Sequence, residues 1–100
     1  MIYITQLIYI NDGEEAVFNE FEAVAIPIIS KYNGRLLLRL KPARATVIES
    51  SIETPYEIHL VAFENDEDFE NFKQDKDRKQ FLHLKERAIR SSLIIKGFEV

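Results

Sequence analysis

The side chains with the greatest chemical capacity in this chain form one short pattern, Glu57-x-His59, with Arg39 and the hydroxyl residues Tyr3, Thr5 and Tyr9 as further candidates. Residues two apart on an extended strand share a face, so Glu57 can orient the His59 ring and raise its basicity. His59 is therefore the candidate general base. Arg39 would hold an anionic substrate or a developing oxyanion, and the hydroxyls of Tyr3, Thr5 and Tyr9 would donate hydrogen bonds in the same space. A plainer reading stands beside this one: His59 hydrogen-bonded in a subunit interface, with Arg39 and Glu57 as an interface ion pair, since structural networks also perturb ionisable groups.

Other chemistries find less support. The two histidines are far apart in sequence, no carboxylate spacing completes a metal signature, and no metal site is expected. There is no cysteine, which removes disulfides and thiolate chemistry together. A Gly-x-Ser-x-Gly turn for a serine nucleophile is absent. With a formal net charge of -4 the chain repels polyanions, so no nucleic-acid partner is expected. Lys73 to Arg90 is basic but interleaved with Asp75, Asp77 and Glu86, as on a solvated helix face. No apolar run reaches membrane-spanning length and no basic leader precedes the first apolar run, so a cytoplasmic protein without membrane contact is expected.

The elements that must position these residues follow from periodicity. Ile2 to Ile10 alternates and predicts a first strand. Asp12 is the predicted N-cap of a helix with a buried stripe of Val17, Phe18, Phe21, Val24, Ala25, Ile28 and Tyr32; Pro27 should kink it and Gly34 end it. Arg35 to Lys41 predicts a second strand, and Ala43 to Thr54 a hairpin arm with strand-capable residues from Ala45 to Glu49. Tyr56 to Phe63 predicts a third strand. A short acidic helix capped at Asn65 or Asp66 follows, then a break near Asp75 to Asp77, a helical piece burying Phe81, Leu84, Ala88 and Ile89, and a last strand from Leu93 to Phe98.

The order is βαββαβ, a ferredoxin-like α+β domain over residues 1–100 with a four-stranded antiparallel sheet and helices on one face. Collecting apolar faces assigns Ile2, Ile4, Ile8, Ile10, Leu36, Leu38, Leu40, Ile58, Leu60, Leu93 and Ile95 to the helix-covered side. The helix-free side then receives Tyr3, Thr5, Leu7, Tyr9, Leu37, Arg39, Glu57, His59, Val61, Phe63, Ile94 and Lys96. So mixed a face is expected to meet a second copy of the same sheet and enclose a cavity lined by Tyr3, Thr5, Tyr9, Leu37, Glu57, Val61 and Lys96.

Ala25-Ile26-Pro27, Lys31-Tyr32-Asn33-Gly34, Pro55-Tyr56 and the acidic helix between Phe63 and Phe72 resemble the small uncharacterised bacterial domains of the dimeric alpha-beta barrel superfamily, over nearly the whole chain. The resemblance implies a homodimer with a ligand cavity between or within the barrels; its relatives include cofactor-independent quinol monooxygenases, haem-degrading enzymes, lactone isomerases and many proteins without known activity, and no cofactor is expected for this chain. Haem degradation fits poorly. His83 points about 200° away from Phe81, toward solvent, at roughly 100° per residue, and the chain has no Trp. The expected function is binding of a small aromatic or anionic molecule in a cavity on the helix-free sheet face. The alternatives are a cofactor-independent monooxygenase or isomerase with His59 as base, and a purely structural dimer.

Overall fold

The computed structural model describes all residues from Met1 to Val100. Its elements are β1 (Ile2–Ile10), α1 (Glu15–Ile28), β2 (Gly34–Leu40), β3 (Glu57–Phe63), α2 (Asp66–Lys73), α3 (Lys76–Gln80), α4 (Leu82–Ala88) and β4 (Ile89–Gly97), with short 3-10 turns at Ile29–Tyr32 and Arg44–Thr46. The sheet order is β2-β3-β1-β4 with every neighbouring pair antiparallel, so the first and third strands are central, as predicted. This is the ferredoxin-like α+β arrangement, and no helix is long and apolar enough to cross a membrane.

Local chemistry sets most boundaries. Asn65 caps α2 by accepting the Asp68 N–H at 2.9 Å, and Asp75 caps α3 by accepting that of Arg78 at 2.9 Å, so the polar gap in the sequence is a second helix start. At α1 the cap position is Glu14, not the predicted Asp12, and no side chain caps it. The α-helix runs through Pro27 to Ile28 and then tightens into a 3-10 turn. Asn33, with φ 57°, takes the left-handed position that ends this turn, so Gly34 is not the stop signal. Gly34 serves packing: a Cβ there would lie 2.6 Å from both Ile29 Cγ2 and Phe63 Cε1. The 43–54 arm is not a hairpin. It finds no partner strand, and local bonds such as Thr46 Oγ1 to the Ala43 carbonyl (2.7 Å) hold its single turn.

The register corrects the predicted faces. In an antiparallel pair, directly opposed residues share a face. Ile2, Ile4 and Ile8 oppose Phe63, Val61 and Glu57, and Gln6 opposes His59. Glu57, His59, Val61 and Phe63 are therefore under the helices, where Glu57, His59 and Phe63 are buried, and Ile58 and Leu60 are on the helix-free side. On β2 the pairing slips between Leu36 and Leu38, leaving Leu37 as the residue at a bulge. That slip puts Leu36 and Arg39 on the helix side with Val61 and His59, and Leu38 and Leu40 on the open side with Leu60 and Ile58. On β4, Lys96 and Ile94 share the face of Ile4 and Gln6, whereas Leu93 and Ile95 are open. Only β1 keeps its whole predicted assignment.

Two cross-strand rows thus span the helix-free face, Leu40–Ile58–Leu7–Leu93 and Leu38–Leu60–Thr5–Ile95. Leu38, Leu93 and Ile95 are each about half exposed. On the other side, one core cluster gathers Ile2, Ile4, Ile29, Phe63 and Phe69, and a second gathers Ile8, Phe18 and Ala88. Between the two clusters the helix-covered face turns polar.

Candidate functional site

The polar row is Arg39–His59–Gln6, with Glu57 one step along β3 beside Ile8. Period-2 alternation places the Glu57 carboxylate and the His59 ring side by side, and the β2 bulge swings Arg39 into the same space. Glu57 Oε1 accepts from Arg39 Nε at 2.7 Å and lies 2.8 Å from His59 Nε2, while Oε2 accepts from Arg39 Nη2 at 3.2 Å. Burial pushes the Glu57 carboxyl up, but the hydrogen bonds from Arg39 and His59 outweigh it and hold the group below the usual carboxylate range. An ionised carboxylate only accepts, so Nε2 carries the ring proton toward it. In the neutral imidazole Nδ1 is then the free basic lone pair.

Helix α1 adds a residue outside the predicted set, Glu22. Glu22 lies four positions after Phe18 and three before Ala25, inside the buried stripe of the helix, and is only 7% exposed. It makes no side-chain hydrogen bond and no ion pair within 4.0 Å. Burial pushes its carboxyl above the ordinary value, against the attraction of His59 and Arg39. A glutamate at a core position of a helical stripe was the available signal.

Helices α3 and α4 supply cations. The Arg78 guanidinium sits over the rings of Phe72 (5.1 Å) and Phe21 (5.9 Å) and donates through Nη1 to the Lys73 carbonyl at 3.2 Å; its Nε is buried without a partner. Lys85 is half-buried, has no ion-pair partner, and burial pushes its ammonium pKa down. Asp75 anchors this wall, because its carboxylate caps α3, accepts the Tyr32 hydroxyl at 2.6 Å and pairs with Lys31 at 3.2 Å. The Tyr32 hydrogen bond, then the Arg78 N–H, hold Asp75 down at about 2. In sequence, nothing separates Arg78 and Lys85 from the other bases of a solvated run.

These groups enclose a cavity of about 70 Å³ between the sheet and the helices. Its polar wall is Gln6, Glu22, His59, Arg78 and Lys85; its apolar wall includes Ile4, Phe21, Ile26, Val61, Phe69 and Phe72. The predicted site residues therefore divide. His59 and Val61 line this cavity, Glu57 and Arg39 stand behind His59, and Lys96 pairs with Asp66 at the sheet edge. Arg39 does not face the cavity as an anion contact; its guanidinium is committed to Glu57. Tyr3, Thr5 and Tyr9 are on the opposite face, with the Tyr9 hydroxyl donating to the Glu53 carbonyl at 2.8 Å and that of Tyr3 bonded to Glu99 at 3.3 Å. Leu37 is exposed at the bulge, and His83 is exposed beside the Phe81 ring.

No protein-family model matches this chain, and no curated protein matches it. Solved structures do. A protein of unknown function from Rhodopseudomonas palustris superposes with a TM-score of 0.84 at 10% identity, covering 99% of this chain and 82% of that one. A putative antibiotic biosynthesis monooxygenase from Nitrosomonas europaea gives 0.74 at 9% identity over 100% and 99% of the two chains. A dimeric protein of unknown function with a ferredoxin-like fold from Bacteroides fragilis gives 0.67 at 14% identity over 96% and 93%. At such identities the shared property is the fold. The chain is a ferredoxin-like α+β domain.

Proposed function

We propose that this chain is a small cytoplasmic single-domain protein that binds a compact molecule, partly aromatic or anionic, in the cavity between its sheet and its helices. One observation carries the reading: Glu22 is more than nine-tenths buried with no hydrogen-bond partner, at the wall of an apolar cavity shared with His59. Buried polar groups in folded proteins are nearly always satisfied, and one left open beside a void marks a place for a ligand or water to bond. The cavity replaces the helix-free face as the binding location, because three of the ionisable residues expected there, Arg39, Glu57 and His59, are under the helices.

The helix-free face is read as a homodimer interface. Its rows of Leu, Ile and one Thr make a contiguous apolar surface of the kind that monomers rarely leave in water, and face-to-face packing about a twofold axis would cover it with an identical surface. Native mass spectrometry on the purified protein tests both parts together. The expected species is a two-subunit particle, with a retained small molecule released on activation. A clean monomer would remove the dimer, and an empty, solvent-excluding core by xenon or small-probe titration would remove the binding site.

A second reading is supported by the 2.8 Å contact between Glu57 and His59 at the cavity wall. In this reading the protein is a cofactor-independent monooxygenase or isomerase: Glu57, held by Arg39, orients His59, whose Nδ1 takes a proton from the bound substrate. Turnover that survives intact in His59→Ala would exclude that role.

A further inference from the structure

Glu22 from α1, Arg78 from α3 and Lys85 from α4 face one cavity, and none of the three has an ion-pair partner within 4.0 Å. The other buried carboxylates are matched, Glu57 by Arg39 and Asp75 by Lys31. Opposite charges in a weakly polarisable interior gain by closing to contact, so a buried acid and two cations held apart across a void are arranged for a third body. The charge count says which kind. Leaving His59 out of the count, Arg39, Arg78 and Lys85 oppose Glu57 and Glu22, an excess of one cation when Glu22 is ionised and two when it is neutral.

We propose that the cavity takes a compact organic monoanion of short-chain-carboxylate size, its charged end between Arg78 and Lys85, and that Glu22 enters the complex as the neutral acid donating a hydrogen bond to it. This deepens the cavity reading above and rests on it. The size follows from the volume of about 70 Å³: at about 10–15 Å³ per water-sized group there is room for roughly five to seven non-hydrogen atoms. The proton follows from repulsion, because two carboxylates sharing one site cannot both stay ionised. Burial already disfavours the ionised form of Glu22 before any ligand arrives.

Binding then takes up a proton, and affinity rises as pH falls through the range in which Glu22 titrates. The groups facing Glu22 are His59 from β3, Arg78 from α3 and Lys85 from α4, with neutral Gln6 from β1, and the Arg39–Glu57 pair acts on it from behind His59. A histidine lines the same cavity, so wild-type pH dependence alone does not identify the proton carrier. A Glu22→Gln substitution does, since the amide keeps the shape and cannot titrate.

The experiment is a chemical-shift titration of the full chain with butyrate and with its neutral isostere butyramide, at about pH 6 and about pH 8, for wild type and Glu22→Gln. Butyrate should bind wild type on the order of tenfold tighter at the lower pH, and butyramide on the order of tenfold more weakly than butyrate there. In Glu22→Gln the affinity at the higher pH should rise to the wild-type low-pH level, with most of the pH dependence gone. The Glu22 side-chain carboxyl resonance in wild type should titrate at higher pH when butyrate is present, a readout that needs no variant. An unchanged pH ratio in Glu22→Gln overturns the role of Glu22 and leaves the cavity reading standing. Equal binding of butyramide overturns the anion assignment alone. Silence of all cavity resonances to both probes removes this proposal and the cavity reading together.

Discussion

The two faces of the sheet invert the usual pairing of burial with polarity. Between its two apolar clusters the helix-covered face carries Glu57, His59, Gln6 and Arg39 beneath α1, with Glu22 pressed down from above, whereas the middle of the face that no helix covers is two rows of Leu and Ile with one Thr. A polar group is tolerated under the helices where its hydrogen bonds are made, as Glu57 shows with three contacts from Arg39 and His59. Leu38, Leu93 and Ile95 have no such compensation in water and gain free energy only when something apolar covers them. What a strand's pattern reveals is therefore alternation. Which side becomes the interior depends on what each side meets.

That comparison can be broken at either face. Glu57→Ala should have the largest effect, a loss of about 3 kcal/mol in urea-unfolding stability, because it leaves Arg39 and His59 facing each other without the carboxylate that binds both. A near-neutral result would mean the polar row is wetter than its burial indicates. On the open face, Leu60→Asp should weaken self-association by about 2.7 kcal/mol, roughly a hundredfold in the dissociation constant, while the fold survives by circular dichroism. Unchanged sedimentation would place the interface elsewhere.

Gly34→Ala should cost about 2 kcal/mol, since the added Cβ would press on Ile29 and Phe63 at 2.6 Å beneath the helices. Thermal unfolding measures it, and an unshifted midpoint would show that those side chains yield freely. Glu22→Gln should stay within about 1 kcal/mol of wild type and change the pH profile instead. A buried acid with a raised folded-state pKa makes its full contribution below the ordinary carboxyl range, and that contribution is lost as pH rises through the raised value. The amide variant should therefore lose less stability than wild type between acid and neutral pH; parallel profiles would place the carboxyl in water. Lys96→Ala should be smallest, about 0.3 kcal/mol, because its pair with Asp66 is exposed on both sides.

Much of the architecture was legible from local signals. Alternation in Ile2 to Ile10, the helical stripe through Phe18, Phe21 and Ala25, the capping residue Asn65 and the break near Asp75 each act over a few residues, where chain geometry fixes the consequence. The Glu57–His59 pairing was legible for the same reason. The faces of β2, β3 and β4 were not. The bulge at Leu37 reverses the alternation midway along β2, so Leu36 and Leu38 part company although they are two apart, and nothing in Arg35 to Leu40 announces it. On β3 both faces carry apolar residues, so hydrophobicity alone does not choose between Ile58 with Leu60 and Val61 with Phe63.

By itself, then, the sequence determined the order of elements, the centrality of β1 and β3, and the proximity of Glu57 to His59, all of which follow from spacing along the chain. Tertiary structure alone decided that this pair looks toward the helices, that Arg39 joins it, and that Glu22, Arg78 and Lys85 converge from separate helices on one small cavity. The physical reason is register: pairing and helix docking are set by the sum of many weak contacts between distant segments, and a slip of one residue exchanges the two faces of a strand.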